Sequence, residues 1–247
     1  MQLPSVLGVF AHPDDESLVA GGVLARHAAA GARTGVVTAT WAPGTHRAVE
    51  LSEALRILGA GVPRLLGYAD ARVPESAAGC PRFLDASLDG AVGRLVRHIR
   101  EFRPDVLVTH DAYGSSGHPD HVHTHRVTLL AARAAGLPDL YPQAGPAWRP
   151  GAVRVAVHPR SGAGELADLV AGAGKKLWTV PDEAVTVTVD VRPWVGRKWA
   201  AIRAHASEAA RDRSLPHLLA GLPVAARNRI LGTEWFVRHD LTPGPVA

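Results

Sequence analysis

The chain has 247 residues, 47% of them apolar and 20% charged, and its 27 basic and 23 acidic side chains give a net charge of +4. This balance is typical of a globular protein and excludes a disordered or fibrous chain. The single cysteine, Cys80, excludes an intramolecular disulfide, and the small charge with only four Phe and three Tyr gives no sign of a nucleic-acid partner.

Short apolar segments alternate with segments of helical periodicity over the first 136 residues. Predicted strands cover residues 5–11, 33–40, 63–68 and 105–109, and predicted helices cover residues 15–30, 45–58, 84–102 and 121–135. The strands are apolar through their middles, as expected when both faces of a sheet are covered. The alternation predicts a Rossmann-like, doubly wound α/β fold, with a mostly parallel sheet in the order 3-2-1-4-5 and helices on both faces.

The last third of the chain is expected to complete the sheet and a pocket. We predict strands at 152–157 and 185–191, the first extending the sheet and the second antiparallel or at an edge, followed by a helix over 194–210. No linker is apparent, so residues 1–247 are predicted to form one domain, with core βα units in 1–136 and an extension in 137–247.

No bilayer-length apolar run and no basic leader are present, which predicts a soluble cytoplasmic protein without membrane insertion. A homo-oligomer is left open.

An imidazole and three carboxylates lie within five residues at the end of the first strand: His12, Asp14, Asp15 and Glu16. Acidic residues often occupy the first turn of a helix, because they cap it and complement its dipole. This does not account for the His-Pro pair beside them. Ligands of open α/β sheets bind beyond the carboxyl ends of the strands, so these side chains are candidates for a functional site.

A second polar cluster follows the fourth strand and reads Gly-His-Pro-Asp-His-Val-His-Thr-His from Gly117 onward. His118 and His121 are three residues apart, a spacing that places two side chains on one side of a helical turn. For His123 we favour a solvated helix face. His125 either supports the site or is merely packed.

The two clusters can meet because the predicted strand order makes the first and fourth strands neighbours, at the switch point of the sheet. Two histidines and one carboxylate with an open position form a common catalytic zinc site. We therefore predict one zinc ion per chain, held by His12, Asp15 and His121. Another divalent ion would suit the same ligands.

Asp14 and His118 remain for catalysis. Zinc lowers the pKa of bound water towards ~7 and polarises a carbonyl group. Amide hydrolysis also requires a base for the attacking water and a proton for the leaving amine. We assign Asp14 as the base, and His118 as the proton donor or the stabiliser of the oxyanion. No Gly-x-Ser-x-Gly elbow is present, which disfavours a covalent nucleophile.

Two signatures carry a resemblance to a known family. Ala-His-Pro-Asp-Asp-Glu at residues 11–16 and His-Pro-Asp-His at residues 118–121 resemble those of the LmbE/PIG-L de-N-acetylases. That family includes N-acetylglucosaminyl-phosphatidylinositol deacetylases and the mycothiol- and bacillithiol-pathway deacetylases. The resemblance implies a zinc-dependent, Rossmann-like hydrolase that removes an acyl group from the 2-amino group of a glucosamine-type sugar, with the ligands and catalytic residues assigned above.

Weaker matches to the family cover other segments. Arg47 matches an arginine that contacts substrate in mycothiol-type members; a surface charge paired with Glu50 is the alternative. Asp70 matches an aspartate that binds substrate hydroxyls; a turn aspartate is the alternative. His205, seven residues after Lys198, loosely matches a histidine near the C-terminal end of the family's sequences. It is either a pocket residue or a core residue. Candidates to surround the ligands and the base are Asp120, His125, Tyr113 and His205.

Two departures from the family concern the substrate. Several relatives carry a tyrosine two residues before the acid histidine, where this chain has Ser116; Tyr113 is a candidate replacement. The loop at residues 41–44 is shorter than in many relatives.

The leading hypothesis is a metal-dependent hydrolase that removes an N-acetyl or other N-acyl group from a small glucosamine-containing molecule. An alternative is a mycothiol S-conjugate amidase or antibiotic-sugar N-deacylase with the same mechanism, which a larger acyl pocket would distinguish. A non-catalytic sugar- or nucleotide-binding protein is disfavoured, because Pro13, Asp14 and Asp15 replace the glycines of a nucleotide loop and the acids would repel a pyrophosphate.

Overall fold

A computed structural model describes residues 2–241 and places seven strands in one sheet. The strands are β1 (Val6–Phe10), β2 (Thr34–Thr40), β3 (Arg64–Tyr68), β4 (Val106–His110), β5 (Ala152–Val157), β6 (Val187–Asp190) and β7 (Thr233–Asp240). Their order is β3-β2-β1-β4-β5-β7-β6. The first five strands are parallel, which confirms the predicted order, and β7 pairs antiparallel with both β5 and β6.

Helices cover both faces of the sheet. They are α1 (Asp15–Ala29), α2 (His46–Leu58), α3 (Leu88–Phe102), α4 (Gly114–Gly117), α5 (Pro119–Ala134), α6 (Gly164–Gly172), α7 (Val195–Ala204), α8 (Ala206–Ala210), α9 (Leu215–Ala220) and α10 (Val224–Leu231). Within residues 2–241, no helix combines the length and the apolar character needed to cross a membrane.

Alternation along the central strand β1 explains the two-sided core. Leu7 and Val9 belong to the hydrophobic cluster formed with α3 and α5. Val6 and Phe10 belong to the cluster formed with α1, α2 and α7. All five residues of β1 are buried. The apolar run in the sequence therefore reflects a strand covered on both faces.

Two predicted helices need correction, and one strand was missed. The helix predicted over 194–210 is two helices, α7 and α8, which separate at His205. The helix predicted from residue 84 begins at Leu88, because Ser87 caps it by accepting a hydrogen bond from the backbone N–H of Gly90. Strand β7 was not predicted, and it lies between β5 and β6, so that β6 forms the antiparallel edge.

Arg100 organises the irregular segment that follows α5. Its buried guanidinium donates to six backbone carbonyl groups, those of Ala134, Ala135, Leu137, Leu140, Tyr141 and Gly145. We expect Arg100→Met to lower the free energy of unfolding by about 3 kcal/mol or more, because buried carbonyl groups lose charged donors. Urea denaturation measures this change, and the exposed Arg97→Met on the same helix is the control. A loss below about 1 kcal/mol would show that the segment does not depend on Arg100.

Candidate active site

A cavity of about 720 Å³ lies beyond the carboxyl ends of β1 and β4. These two strands are neighbours at the switch point of the sheet. The loop after β1 contributes His12, Asp14 and Asp15 to the cavity wall, and the segment after β4 contributes His118 and His121. The structure thus brings the two polar clusters of the sequence together.

His12, Asp15 and His121 lie close to one another in the cavity. Nδ1 of His12 lies 3.1 Å from Nε2 of His121 and 3.4 Å from Oδ2 of Asp15. Oδ1 of Asp15 lies 3.3 Å from Nε2 of His121. Ligand atoms that surround a tetrahedral zinc ion at about 2.0–2.1 Å lie roughly 3.3–3.4 Å from one another. Each spacing matches a pair of zinc ligand atoms, and Asp15 approaches His12 through Oδ2 and His121 through Oδ1.

Hydrogen bonds assign the tautomers of both rings. Nδ1 of His121 lies 3.2 Å from the carbonyl oxygen of Gly114, to which it donates. Nε2 of His12 donates to Oδ2 of Asp120 at 3.2 Å. In each neutral ring the other nitrogen then carries a lone pair. Two lone pairs and a carboxylate consequently face one another, an arrangement that a cation stabilises, and such outer hydrogen bonds are usual for metal-binding histidines.

The charges around His12 also favour a cation. Burial disfavours its charged form, but hydrogen bonds with Asp120 and Asp15 outweigh this effect and raise the pKa of His12 to about 10. Without a metal ion the ring therefore carries a second proton, and a bound metal ion would have to displace that proton to reach the lone pair of Nδ1. Asp70 adds a third carboxylate, 3.3 Å from Nε2 of His12.

Three overlapping sets of side chains could hold a metal ion here: His12 with His118 and His121; His12 with Asp70, His118 and Asp120; and Asp15 with His110 and His121. None of the three is the predicted set of His12, Asp15 and His121, whose members are divided between the first and the third.

Asp14 adopts an uncommon backbone conformation at the start of α1, with φ at 125°. Non-glycine residues rarely adopt positive φ, and such strain concentrates at functional sites. Oε2 of Glu16 accepts the Asp14 N–H at 3.0 Å. Arg47 donates to the carbonyl of Pro13 and pairs with Oδ1 of Asp14 at 3.0 Å. These contacts hold the turn that places the Asp14 carboxylate in the cavity wall.

The environment of Asp14 suits proton transfer. Burial raises the pKa of this carboxyl group to about 7, against the opposing effect of the Arg47 charge. A general acid or base is most effective when its pKa lies near the working pH. Asp14 can therefore accept and return a proton near neutrality.

His118 caps α5 with its side chain. Nδ1 accepts the backbone N–H of Asp120 at 3.2 Å, so the neutral ring carries its proton on Nε2. Burial, followed by the charge of His12, lowers the pKa of His118 to about 4. The ring is a neutral N–H donor in the cavity wall, which suits hydrogen bonding to a developing oxyanion.

Arg47 is buried and lines the cavity, so its interpretation as a surface charge is wrong. Glu50, the alternative partner, instead accepts two hydrogen bonds from Ser207. The Arg47 guanidinium lies 3.3 Å from Oε1 of Glu208 and sits over the ring of Trp41, 5.1 Å from its centre.

Asp70 makes a turn contact and also lies in the cavity wall. Its Oδ1 accepts the backbone N–H of Arg72 at 2.7 Å, which is a turn interaction. Its Oδ2 contacts His12, and the residue lines the cavity.

The four candidate supporting residues lie in different places. Asp120 contacts His12 directly. His205 is fully buried and its Nε2 lies 2.7 Å from Oε1 of Glu16, beneath the start of α1. His125 lies 2.9 Å from the carbonyl of His110. Tyr113 is 56% exposed and stacks on Trp178, and neither Tyr113 nor His125 lines the cavity.

Sequence analysis missed His110 and Glu208. His110 is the last residue of β4 and is fully buried; its ring stacks on His121 at 4.0 Å, and its Nε2 lies 3.3 Å from Oδ2 of Asp15. His110 could have been found from its position at the end of the fourth strand, which neighbours the first strand. The predicted fourth strand, however, ended one residue before it. Glu208 follows the loosely matched His205 segment, where the family would have a glutamine, and this departure was its only signal.

Comparisons with known proteins show the family of this chain. Residues 7–132 match the family PIG-L: GlcNAc-PI de-N-acetylase. A 1D-myo-inositol 2-acetamido-2-deoxy-alpha-D-glucopyranoside deacetylase of Rhodococcus erythropolis is 35% identical over 280 aligned positions, covering 98% of this chain and 92% of that protein. The chain belongs to the PIG-L family.

Solved structures share the PIG-L fold with this chain. A conserved protein from Thermus thermophilus is 25% identical, with a TM-score of 0.64 over 99% of this chain and 97% of the other. A 4-carboxy-2-hydroxymuconate hydratase from Pseudomonas putida KT2440 is 19% identical, with a TM-score of 0.65 over 99% of each chain. Because a hydratase shares the fold, the reaction of this PIG-L chain must be argued from its site.

Proposed function

We propose that this PIG-L protein is a zinc-dependent N-deacetylase, which removes the acetyl group from the 2-amino group of a small glucosamine-containing molecule. The observation that carries the proposal is the close approach of His12, Asp15 and His121 to one another, with Asp14 and His118 in the same cavity. The 35% identical relative is named for a 2-acetamido sugar joined to inositol, so a glycoside of that type heads the candidate substrates.

His12 Nδ1, Asp15 and His121 Nε2 would hold the zinc ion. When bound, zinc supplies a Lewis acid and lowers the pKa of a coordinated water. The carboxylate of Asp120 and the carbonyl of Gly114 keep the two rings in the orientation that this requires.

Asp14 moves the protons of the reaction. It accepts one from the attacking water as the new C–O bond forms, and returns one to the leaving nitrogen as the C–N bond breaks. The products are acetate and a free amine. Nε2–H of His118 donates to the carbonyl oxygen as negative charge develops there. Of the two roles considered for His118, proton donor and stabiliser of the oxyanion, this is the second. Arg47 and Asp70 lie where they can bind hydroxyl groups of the sugar.

An activity assay tests the proposal. Zinc-loaded protein is incubated with a panel of N-acetylglucosamine glycosides, including the inositol glycoside, and both free amine and acetate are measured. We expect equimolar release of the two products, lost after chelation and restored by one zinc per chain. Protein that binds zinc but releases neither product across the panel would contradict a deacetylase.

A further inference from the structure

The cavity has two chemically different sides. Arg47 lies in α2, which follows β2, and Asp70 and Arg72 follow β3, so a polar side lies towards those strands. The other side lies towards β5 and β7 and is largely apolar. It is formed by α1 and by the C-terminal helices α6, α9 and α10, through Leu18, Leu166, Val170, Leu215, Leu219 and Ile230. The centre formed by His12 and His121 lies between the two sides, at the ends of β1 and β4.

The apolar side begins close to the proposed base. Leu18 lies one helical turn after Asp14, and its backbone N–H donates to the Asp14 carbonyl at 3.1 Å. Leu18 packs with Leu215, Leu219 and Ile230 in one hydrophobic cluster. Leu18, Leu215 and Ile230 are only half-buried, and they form part of the cavity wall. Apolar surface is thus available to a ligand directly beside the reacting position.

The buried polar groups on this side are already paired or neutral, whereas Lys175, Lys176 and Arg211, which also line the cavity, have exposed side chains. Lys198 Nζ pairs with Oε1 of Glu234 at 2.7 Å, and Glu234 also accepts the backbone N–H groups of Gly22 and Val23 at 2.8 Å. His158 also lines this side, and burial lowers its pKa to about 4, so its ring is neutral. Sugar hydroxyls placed against leucine side chains would lose hydrogen bonds to water without replacement.

The geometry of an amide places different parts of one substrate on the two sides of the cavity. The acyl chain and the nitrogen leave the carbonyl carbon in different directions, so a sugar bound near Arg47 and Asp70 directs its acyl chain away from them. We propose that the apolar side is an acyl-binding subsite, and that this enzyme removes medium-chain N-acyl groups of about four to eight carbons more efficiently than acetyl. This inference rests on the amide hydrolysis proposed above, and it replaces acetyl by a medium-length chain as the preferred acyl group.

A homologous substrate series tests the subsite. N-acetyl, N-butanoyl, N-hexanoyl and N-octanoyl forms of one glucosamine glycoside are compared by kcat/KM. We expect an increase of about fourfold per added methylene until the subsite is filled, because each buried methylene contributes favourable transfer energy. An octyl glycoside of N-acetylglucosamine distinguishes an apolar aglycone from an acyl chain.

Substitutions in the apolar cavity wall test whether this wall causes the preference for longer acyl chains. Leu215→Asn should lower the hexanoyl-to-acetyl ratio of kcat/KM by about tenfold, because it puts an amide where the chain packs. Leu222→Asn is the matched control: this leucine belongs to the same cluster but does not line the cavity, so the ratio should stay unchanged.

The outcomes separate the two proposals. Activity on the acetyl form that falls with chain length would overturn the acyl subsite and leave the deacetylase. A gain with the octyl aglycone but not with N-octanoyl would also overturn it. No activity on any form would overturn both.

Discussion

Asp14→Asn is expected to lower kcat by about 10²–10⁴-fold while zinc remains bound. Asparagine keeps the size of the side chain and an oxygen that can accept from Arg47, but it cannot accept the proton of the attacking water. It also tolerates positive φ better than most residues, which matters at a backbone φ of 125°. None of the three atom pairs that define the cation site involves Asp14.

Two measurements on the same sample separate catalysis from binding. Steady-state kcat on the N-acetyl substrate should collapse, whereas zinc content by elemental analysis should stay at one per chain. Asp139→Asn, at an exposed position, controls for the loss of one negative charge. Near-normal turnover in Asp14→Asn would show that another group serves as the base.

The centre of the sheet and the meeting of the two polar clusters could be predicted from the sequence because both depend on local patterns and one topological rule. The five apolar residues of β1 are all buried, as a strand covered on both faces requires. The order that makes β1 and β4 neighbours then brings His12 to 3.1 Å from His121, although 109 positions separate them.

The C-terminal third was less predictable because tertiary contacts shape it. In β7, Glu234 is buried beside Phe236, and a buried glutamate breaks the apolar pattern of a strand. Its partners are Lys198 and the backbone of α1, more than 35 positions away in each case. The helix break at His205 likewise accompanies a buried contact with Glu16, 189 positions distant. No short sequence segment contains both partners of either contact, so local patterns cannot predict them.

The apolar side of the cavity escaped prediction for a related reason. Helices α9 and α10 have six and eight residues, too short to show clear helical periodicity. Their leucines form a surface only when α1 and α7 pack against them. The sequence therefore identifies the chemistry of the reacting centre more readily than the shape of the substrate that reaches it.

His121→Ala is expected to abolish zinc binding and turnover together. Removing Nε2 leaves only His12 and Asp15 of the proposed ligands, and two ligands do not complete a catalytic zinc site. We choose His121 over His12 because loss of the His12 ring would leave the buried carboxylates of Asp70 and Asp120 facing each other without it. The ring of His121 donates one hydrogen bond, to the carbonyl of Gly114.

Thermal denaturation gives a readout that does not depend on activity. A cation that binds only the folded state stabilises it in proportion to the logarithm of its concentration, so zinc should raise the Tm of the unaltered protein and leave that of His121→Ala unchanged. His217→Ala, which removes a half-exposed histidine from α9, should respond to zinc as the unaltered protein does. Asp120→Asn should show an intermediate response, because loss of an outer hydrogen bond to a ligand usually lowers metal affinity by about 10–100-fold. If His121→Ala kept one zinc per chain and its full Tm shift, the ion would lie elsewhere, and His12 and Asp15 would lose their proposed role with it.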